Sequence, residues 1–102
     1  MKHRLKQLFT EYDALLLPTT AITAPIIEGQ DAVEQANRLT RFTSPFNLAG
    51  LPAISVPCGF SQEGLPIGLQ VVSGAWREAS VLRVARAYES QVDWSPHRPP
   101  LA

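Results

Sequence analysis

Side chains that could attack a carbonyl group are present in this chain, but none has a recognisable catalytic spacing. The serines are scattered, and none lies within Gly-x-Ser-x-Gly, the strained turn that exposes a serine nucleophile. The only histidines, His3 and His97, lie in terminal segments, and the only lysines, Lys2 and Lys6, share one predicted helix. Because nucleophilic hydrolysis needs a nucleophile, a nearby base and oxyanion donors, we predict no catalytic residue here.

Cysteine and carboxylate positions are equally uninformative about metal or redox chemistry. Cys58 is the single cysteine and ends an apolar run before Gly59, where a free thiol packs as a small apolar side chain; a reactive thiol is the less favoured alternative. No Cys/His cluster has zinc spacing. The carboxylates Glu28, Asp31 and Glu34 lack the dense pattern of oxygen ligands that calcium needs. We predict neither a metal nor a cofactor.

Composition describes one small unit with few electrostatic preferences. The chain has 102 residues and a formal net charge of zero, which favours neither nucleic acid nor a membrane as partner. The apolar run at 14–18 is too short to span a bilayer, and the basic start is not followed by a signal-peptide core, so the cytoplasm is the expected compartment. Charged residues are only 18%, which favours a segment that sits inside something larger.

The first part of the chain is predicted to alternate between helix and strand. Apolar residues at helical spacing predict a helix over residues 3–12. The apolar run at 14–17, closed by Pro18, is typical of a strand covered on both faces, and a loop follows over 18–30. A second helix is predicted over 32–42, and its inward residues are expected to be Val33, Ala36 and Leu39.

A short helix and a hairpin are predicted in the middle of the chain. Ser44 is expected to cap the helix, with Pro45 at its first position and Gly50 as its stop. Two apolar runs, 53–57 and 67–72, are each introduced by Gly-Leu-Pro and are separated by a polar turn. This arrangement predicts two strands joined as a β-hairpin.

The clearest helix is predicted over residues 77–90, with an inward stripe of Val81, Leu82, Ala85 and Tyr88. Trp76 and Trp94 are expected to be packing anchors. Helices and strands in this order indicate an α/β or α+β arrangement. Three strands are few for an independent sheet, so we expect further strands to come from a partner segment.

A family resemblance is carried mainly by two segments, FTSPFNLAGLPAISVPCGF (42–60) and GLPIGLQVV (64–72). Both closely resemble the C-terminal region of amidase signature enzymes, as does YDALLLPT (12–19). The resemblance implies an α/β fold in which this chain forms part of a mixed β-sheet flanked by helices. It also implies that residues 1–102 are the C-terminal segment of an amidase-like domain, a single and incomplete unit.

The same resemblance implies roles for a few residues. In the family the catalytic serine, a second serine and a lysine precede the region matched here, so none is carried over. The segment matching 40–47 lines the acyl-binding cavity, which makes Phe42, Thr43 and Asn47 candidate substrate-binding residues. The alternative is that the hydrophobic side chains of this segment, Phe42, Phe46 and Leu48, are simply core.

One position bears on substrate choice. Family members that act on glutamine carry an aspartate seven residues before the asparagine that matches Asn47, and Thr40 stands there in this sequence. A neutral hydroxyl cannot neutralise an ammonium group. The resemblance therefore favours an amidase that acts on an uncharged amide.

Two functional hypotheses follow. In the first, the chain completes an amide hydrolase with an N-terminal amidase segment as partner, and a small amide substrate binds only in the complete enzyme. In the second, the chain is a free-standing non-catalytic module that self-associates or pairs its strand edges with another protein. Both predict that the isolated chain forms oligomers or is marginally stable, because apolar surface is left uncovered.

Overall fold

The computed structural model describes residues 2–25, 32–94 and 96. The predicted succession of helices and strands is confirmed in these ranges, while the rest of the predicted 18–30 loop and most of the tail, including His97, lie outside them. The elements in chain order are α1 Lys2–Glu11, β1 Leu15–Pro18, α2 Ala32–Thr40, α3 Ser44–Ala49, β2 Ala53–Phe60, β3 Pro66–Val72 and α4 Glu78–Glu89.

The three strands form one antiparallel sheet in the order β1-β3-β2. The predicted hairpin of β2 and β3 is confirmed, and its turn closes where the Gly64 amide donates to the Ser61 carbonyl at 2.9 Å. Gly64 has φ 85, a left-handed conformation that glycine adopts without a steric penalty. The central strand β3 is therefore bonded on both sides, and β1 and β2 are its neighbours.

The prediction that β1 is covered on both faces is wrong within the described residues. Leu15 and Leu17 are half-buried, whereas Leu16 between them is 54% exposed. Successive side chains of a strand point to opposite faces, so one face of β1 is half-buried and the other is exposed to solvent. The uninterrupted apolar run could not reveal this difference.

One face of the sheet is packed against α4. Ile54 of β2 and Val81 of α4 line a common groove, and the register places Val71 beside Ile54. Val71 and Val81 are almost fully buried, as is Ala85 one helical turn further along α4. Burying apolar side chains between a helix and a sheet is the main stabilising contribution of this layer.

The predicted inward stripe of α4 is only partly right. Val81 and Ala85 are buried and Tyr88 is half-buried, but Leu82 is 59% exposed. Leu82 lies at the rim of the sheet beside Pro52, where β2 begins. The apolar stripe of the helix is wider than the strand pair it covers.

In α3, Phe46 and Ala49 are buried, and Phe42, just before this helix, is bonded to Gln70, which alternates with Val71 and so lies on the other face of β3. Thr43, not Ser44, is the N-cap residue, and it makes no side-chain cap bond, so the predicted capping role of Ser44 is wrong. Gly50 ends the helix in the left-handed conformation, at φ 70, as predicted.

The inward face predicted for α2 is wrong in two of three positions. Leu39 is half-buried, but Ala36 is exposed and Val33 is 77% exposed. Only the C-terminal end of α2 approaches the sheet, where Leu39 and Val56 line one groove. Within the described residues, nothing covers the apolar side of its first turns.

The two tryptophans differ sharply. Trp94 is an anchor as predicted: its Nε1 donates to the Pro57 carbonyl at 3.1 Å, and its ring meets Phe60 edge-on with centroids 5.5 Å apart. Trp76 is 91% exposed and has φ 66, so its predicted packing role is wrong in this chain. Cys58 is half-buried where the β2–β3 register shifts, between Pro57 and Gly59.

Among the described helices, none combines the length and the apolar character that crossing a membrane requires.

Candidate functional site

The candidate substrate-binding residues lie where α2 passes into α3. Phe42 and Thr43 are half-buried in this junction, and Asn47 is exposed on α3. The Thr43 amide and its Oγ1 both donate to the Thr40 carbonyl, at 3.1 and 3.3 Å. The Asn47 amide in turn donates to the Thr43 carbonyl at 3.2 Å. Thr43 is thus fixed by local hydrogen bonds on both sides.

The alternative interpretation, that the hydrophobic residues here are core, holds for Phe46, which is 6% exposed. It is wrong for Leu48, which is 79% exposed, and Phe42 is intermediate. The segment therefore has an inner side and an outer side. The assignment of Phe42, Thr43 and Asn47 to a pocket wall stays a prediction.

A buried glutamine ties this junction to the sheet. Gln70 lies on the central strand β3, is 3% exposed, and donates from Nε2 to the Phe42 carbonyl at 2.8 Å. Buried polar groups are costly unless they are hydrogen-bonded, so the bond also accounts for a glutamine at this position. It joins residues 28 positions apart.

A pair of hydroxyl groups lies on the same face of the sheet as Gln70. Thr19 Oγ1 and Ser55 Oγ are 2.6 Å apart, and the Thr19 amide donates to the Gly68 carbonyl at 3.0 Å. A Cβ on Gly68 would lie 2.7 Å from Ser55 Oγ and 2.8 Å from Thr19 Oγ1, closer than real Cβ atoms approach other atoms. The absence of a side chain at Gly68 is what lets the two hydroxyls meet.

An open groove of about 410 Å³ lies over this hydroxyl pair. Its walls come from the start of the loop after β1, from Leu39 of α2, and from the β2–β3 hairpin. No described side chain that lines it is charged or titratable, so it offers hydroxyl hydrogen bonds and apolar contact but no acid or base. Such a surface suits an uncharged group. Phe42, Thr43 and Asn47 are not among its lining residues.

The described serines show no catalytic arrangement. Ser55 bonds to Thr19, the fully buried Ser73 donates to the Asp13 carbonyl at 2.6 Å, and Ser80 accepts from Arg83. None of these bonds joins a serine to a histidine or a lysine, as activation of the nucleophile would require. Nor does the described part of the chain hold a group of three or more His, Cys, Asp or Glu side chains that could bind a metal.

With this geometry in place, comparison with known proteins identifies the family. The amidase family model matches residues 1–82. The chain belongs to the amidase family. Its α/β fold is confirmed by a crystal structure of a glutamyl-tRNA(Gln) amidotransferase subunit from Thermotoga maritima, with a TM-score of 0.81 and 40% identity over 98% of this chain and 22% of that one.

Further members of the amidase family show the same coverage. The chain is 46% identical to a fatty acid amide hydrolase of Medicago truncatula over 95% of its own length and 17% of that protein. It is 50% identical to the corresponding glutamyl-tRNA(Gln) amidotransferase subunit of Brevibacillus brevis, over 90% of its length and 19% of that protein. A 6-aminohexanoate cyclic dimer hydrolase matches with a TM-score of 0.80 and 32% identity, over 97% of this chain and 23% of that one. The chain thus spans about one fifth of these relatives.

Sequence reasoning missed the polar residues that organise this face of the sheet. Gln70 and Ser55 each interrupt an apolar strand run; Gln70 is buried and Ser55 is exposed, and a polar residue at a buried position is a signal that it bonds to something specific. Alternation along the two strands places both on one face. The partners, Thr19 and the Phe42 carbonyl, come from distant parts of the chain, and no local pattern names them.

Proposed function

We propose that this chain is the C-terminal part of an amide-bond hydrolase, in which it supplies sheet scaffold and part of the substrate-pocket wall. The catalytic serine, second serine and lysine are then supplied by polypeptide outside this sequence. The observation that carries the proposal is the family match over residues 1–82 combined with coverage of about one fifth of the relatives. An amidase segment N-terminal to this one, or a second copy of the chain, is the expected partner.

The wall assignment rests on the two-sided junction of α2 and α3. Phe46 packs inward, while Phe42 and Thr43 are half-buried and Asn47 is exposed, so their side chains remain available to a ligand or to the rest of the enzyme. Binding sites combine apolar surface with a few placed polar groups, and a phenyl ring beside a hydroxyl meets that description.

The proposed substrate is an uncharged amide. Thr40 donates its hydroxyl to the Ala36 carbonyl at 3.0 Å and carries no charge to pair with an ammonium group. The nearby groove is lined by uncharged side chains of described residues. The relatives named as fatty acid amide hydrolases are consistent with an uncharged substrate. The relatives named as glutamyl-tRNA(Gln) amidotransferase subunits favour glutamine as the alternative substrate.

Two kinetic measurements test the proposal in an enzyme that joins this chain to an N-terminal amidase segment. Phe42→Ala should raise KM for an uncharged aromatic amide about tenfold, since a lost aromatic contact is worth roughly 1–2 kcal/mol. Leu48→Ala is the matched control, because Leu48 follows the 40–47 wall segment and is not assigned to the wall, and it should leave KM unchanged. Equal KM values for both variants and the parent would contradict the wall assignment.

Substrate preference is tested with the same enzyme. The ratio of kcat/KM for an aromatic or alkyl amide to that for glutamine should exceed one in the parent. Thr40→Asp should move that ratio toward glutamine. A parent that prefers glutamine would overturn the proposed substrate class.

A further inference from the structure

Central strand β3 is the most constrained part of the described fold. Val71 and Val72 are fully buried, and β3 is hydrogen-bonded to β1 on one side and β2 on the other. A side chain that projects from β3 therefore starts from a backbone with little freedom to move. Gln70, immediately before these valines, is such a side chain.

By contrast, the junction of α2 and α3 is held by short-range hydrogen bonds and by the burial of Phe46 and Ala49. Within the described residues, Thr43 bonds back to Thr40, Asn47 bonds back to Thr43, and the Gly50 amide closes α3 on Asn47. These bonds fix the shape of the segment but not its position relative to the sheet. The contact from Gln70 Nε2 to the Phe42 carbonyl, at 2.8 Å, supplies a fixed point.

The acceptor is the residue that the proposed function places in the pocket wall. Removing the Gln70 donor would leave the Phe42 carbonyl without this partner, and a polar group that loses its partner in a part-buried site is destabilising. The segment would relieve that cost by rotating its carbonyl toward water. Such a rotation displaces the Phe42 side chain and the Thr43 hydroxyl together.

We propose that Gln70 is a positioning residue that sets the place of Phe42 and Thr43 against the sheet and thereby tunes substrate affinity. The proposal rests on the proposed function for its kinetic consequence. Its structural part, that Gln70 orders residues 42–47, stands separately. We place Gln70 outside direct contact with the substrate; its effect on binding comes from fixing the position of Phe42 and Thr43.

The test compares two buried donors, Gln70 near the end of β3 and Ser73 immediately after it. Gln70→Met keeps approximate volume and removes the donor to Phe42, and Ser73→Ala removes the donor to Asp13, which lies between α1 and β1. Amide hydrogen exchange on the intact chain should show about tenfold faster exchange at Thr43 and Asn47 in Gln70→Met, as expected for loss of a bond worth about 1.4 kcal/mol. Ser73→Ala should leave those two amides unchanged relative to the global exchange rate.

Gln70→Leu is the second variant, since an alkyl side chain cannot donate a hydrogen bond and should reproduce the local effect. Unchanged exchange at Thr43 and Asn47 in both variants at position 70 would overturn the proposal. So would loss of the whole fold in both while Ser73→Ala folds, because Gln70 would then be a global stability residue. Far-UV circular dichroism separates these outcomes.

The kinetic arm uses the joined enzyme. Gln70→Met should raise KM about tenfold with kcat nearly unchanged, which is the signature of lost ground-state and transition-state binding alike, and Ser73→Ala should leave KM as in the parent. A KM that rises equally in both variants contradicts positioning. If the joined enzyme hydrolyses no amide, the proposed function fails, while the exchange measurement still decides whether Gln70 orders the segment.

Discussion

The two faces of the β-sheet are covered by different kinds of contact. On one face, Val81 and Ala85 of α4 and Val71 of β3 are nearly inaccessible to water. On the other, Gln70 holds a loop carbonyl and Thr19 meets Ser55 beside an open groove. Apolar contact is non-directional and tolerates small shifts, whereas hydrogen bonds fix atoms in place.

This difference indicates that the two faces of the sheet have different roles. We infer that the α4 face contributes mainly to stability, and that the face of Gln70, which also buries Val72, sets the geometry of side chains that we propose to meet a substrate. Both faces share β3, in which Val71 faces α4 and Gln70 faces the junction of α2 and α3. Substitutions that affect one face and not the other can break or sharpen this comparison.

The largest effect is expected from placing a charge in the α4 face. Val71→Asp buries a carboxylate where the native side chain is fully buried, and it should destabilise the chain by more than about 3 kcal/mol or unfold it. Val33→Asp is the matched control, because Val33 is 77% exposed and its substitution should cost little. Urea unfolding followed by circular dichroism gives both values, and a stable Val71→Asp would refute the α4 face as the main source of stability.

A smaller loss is expected from crowding the face of Gln70. Gly68→Ala brings a methyl group within 2.8 Å of both hydroxyls of the Thr19–Ser55 pair, so strand or side chains must shift, at a cost of about 1–3 kcal/mol. Gly59→Ala is the control in the same hairpin, since a Cβ there meets nothing within 4 Å. Equal melting temperatures for the two variants would show that the hydroxyl pair yields without cost.

A gain in stability is expected at Trp76. Its φ of 66 is a left-handed conformation that is unfavourable for a bulky residue, and 91% of it is exposed, so the described contacts offer little compensation. Trp76→Gly should stabilise the isolated chain by about 0.5–1 kcal/mol.

Gly50→Ala provides the reverse experiment at nearly the same φ of 70, in space that is open around the new methyl group. It should destabilise the chain by about 1 kcal/mol. Thermal melts of the two variants should move in opposite directions. A loss of stability in Trp76→Gly would mean that the exposed ring makes contacts that outweigh the strain.

The smallest effect is expected at the ion pair of Arg77 and Asp13. Its charged atoms are 3.7 Å apart, and the side chains are 43% and 90% exposed, so solvent screens the attraction. Arg77→Ala should change the free energy of unfolding by less than about 0.5 kcal/mol. Ser73→Ala, which removes a buried bond to the Asp13 carbonyl, should cost more, about 1–2 kcal/mol, and a reversed order would contradict the weight given to burial.

Local patterns predicted most of the elements. The hairpin follows from two apolar runs around a polar turn, and the stop of α3 at Gly50 follows from a left-handed glycine; both depend on near neighbours in the chain. Exposure was less predictable. The helical spacing shows that Val33 and Leu82 belong to apolar helix faces. It does not show whether another element packs against those faces, and so it cannot predict how exposed the two side chains are.

In the candidate site, too, features set by near neighbours in the chain were more predictable than contacts between distant residues. The helix signals anticipated that Thr43 lies between two helices, but they put Phe42 at the end of the predicted 32–42 helix, whereas α2 ends at Thr40. The bond from Gln70 to Phe42 could not be anticipated, because it joins residues 28 positions apart. Trp76 shows a third kind of failure, since its left-handed backbone is not what its residue type favours.

Hydrolysis of a simple aromatic amide tests the central claim most directly. The purified 102-residue chain should show no turnover, and joining or co-expressing it with an N-terminal amidase segment should restore activity, because we propose that this segment supplies the nucleophile and the base. Turnover by the chain alone that persists after contaminating amidases are removed, and that is lost on Ser55→Ala or Cys58→Ala, would contradict the claim that its role is scaffold and wall.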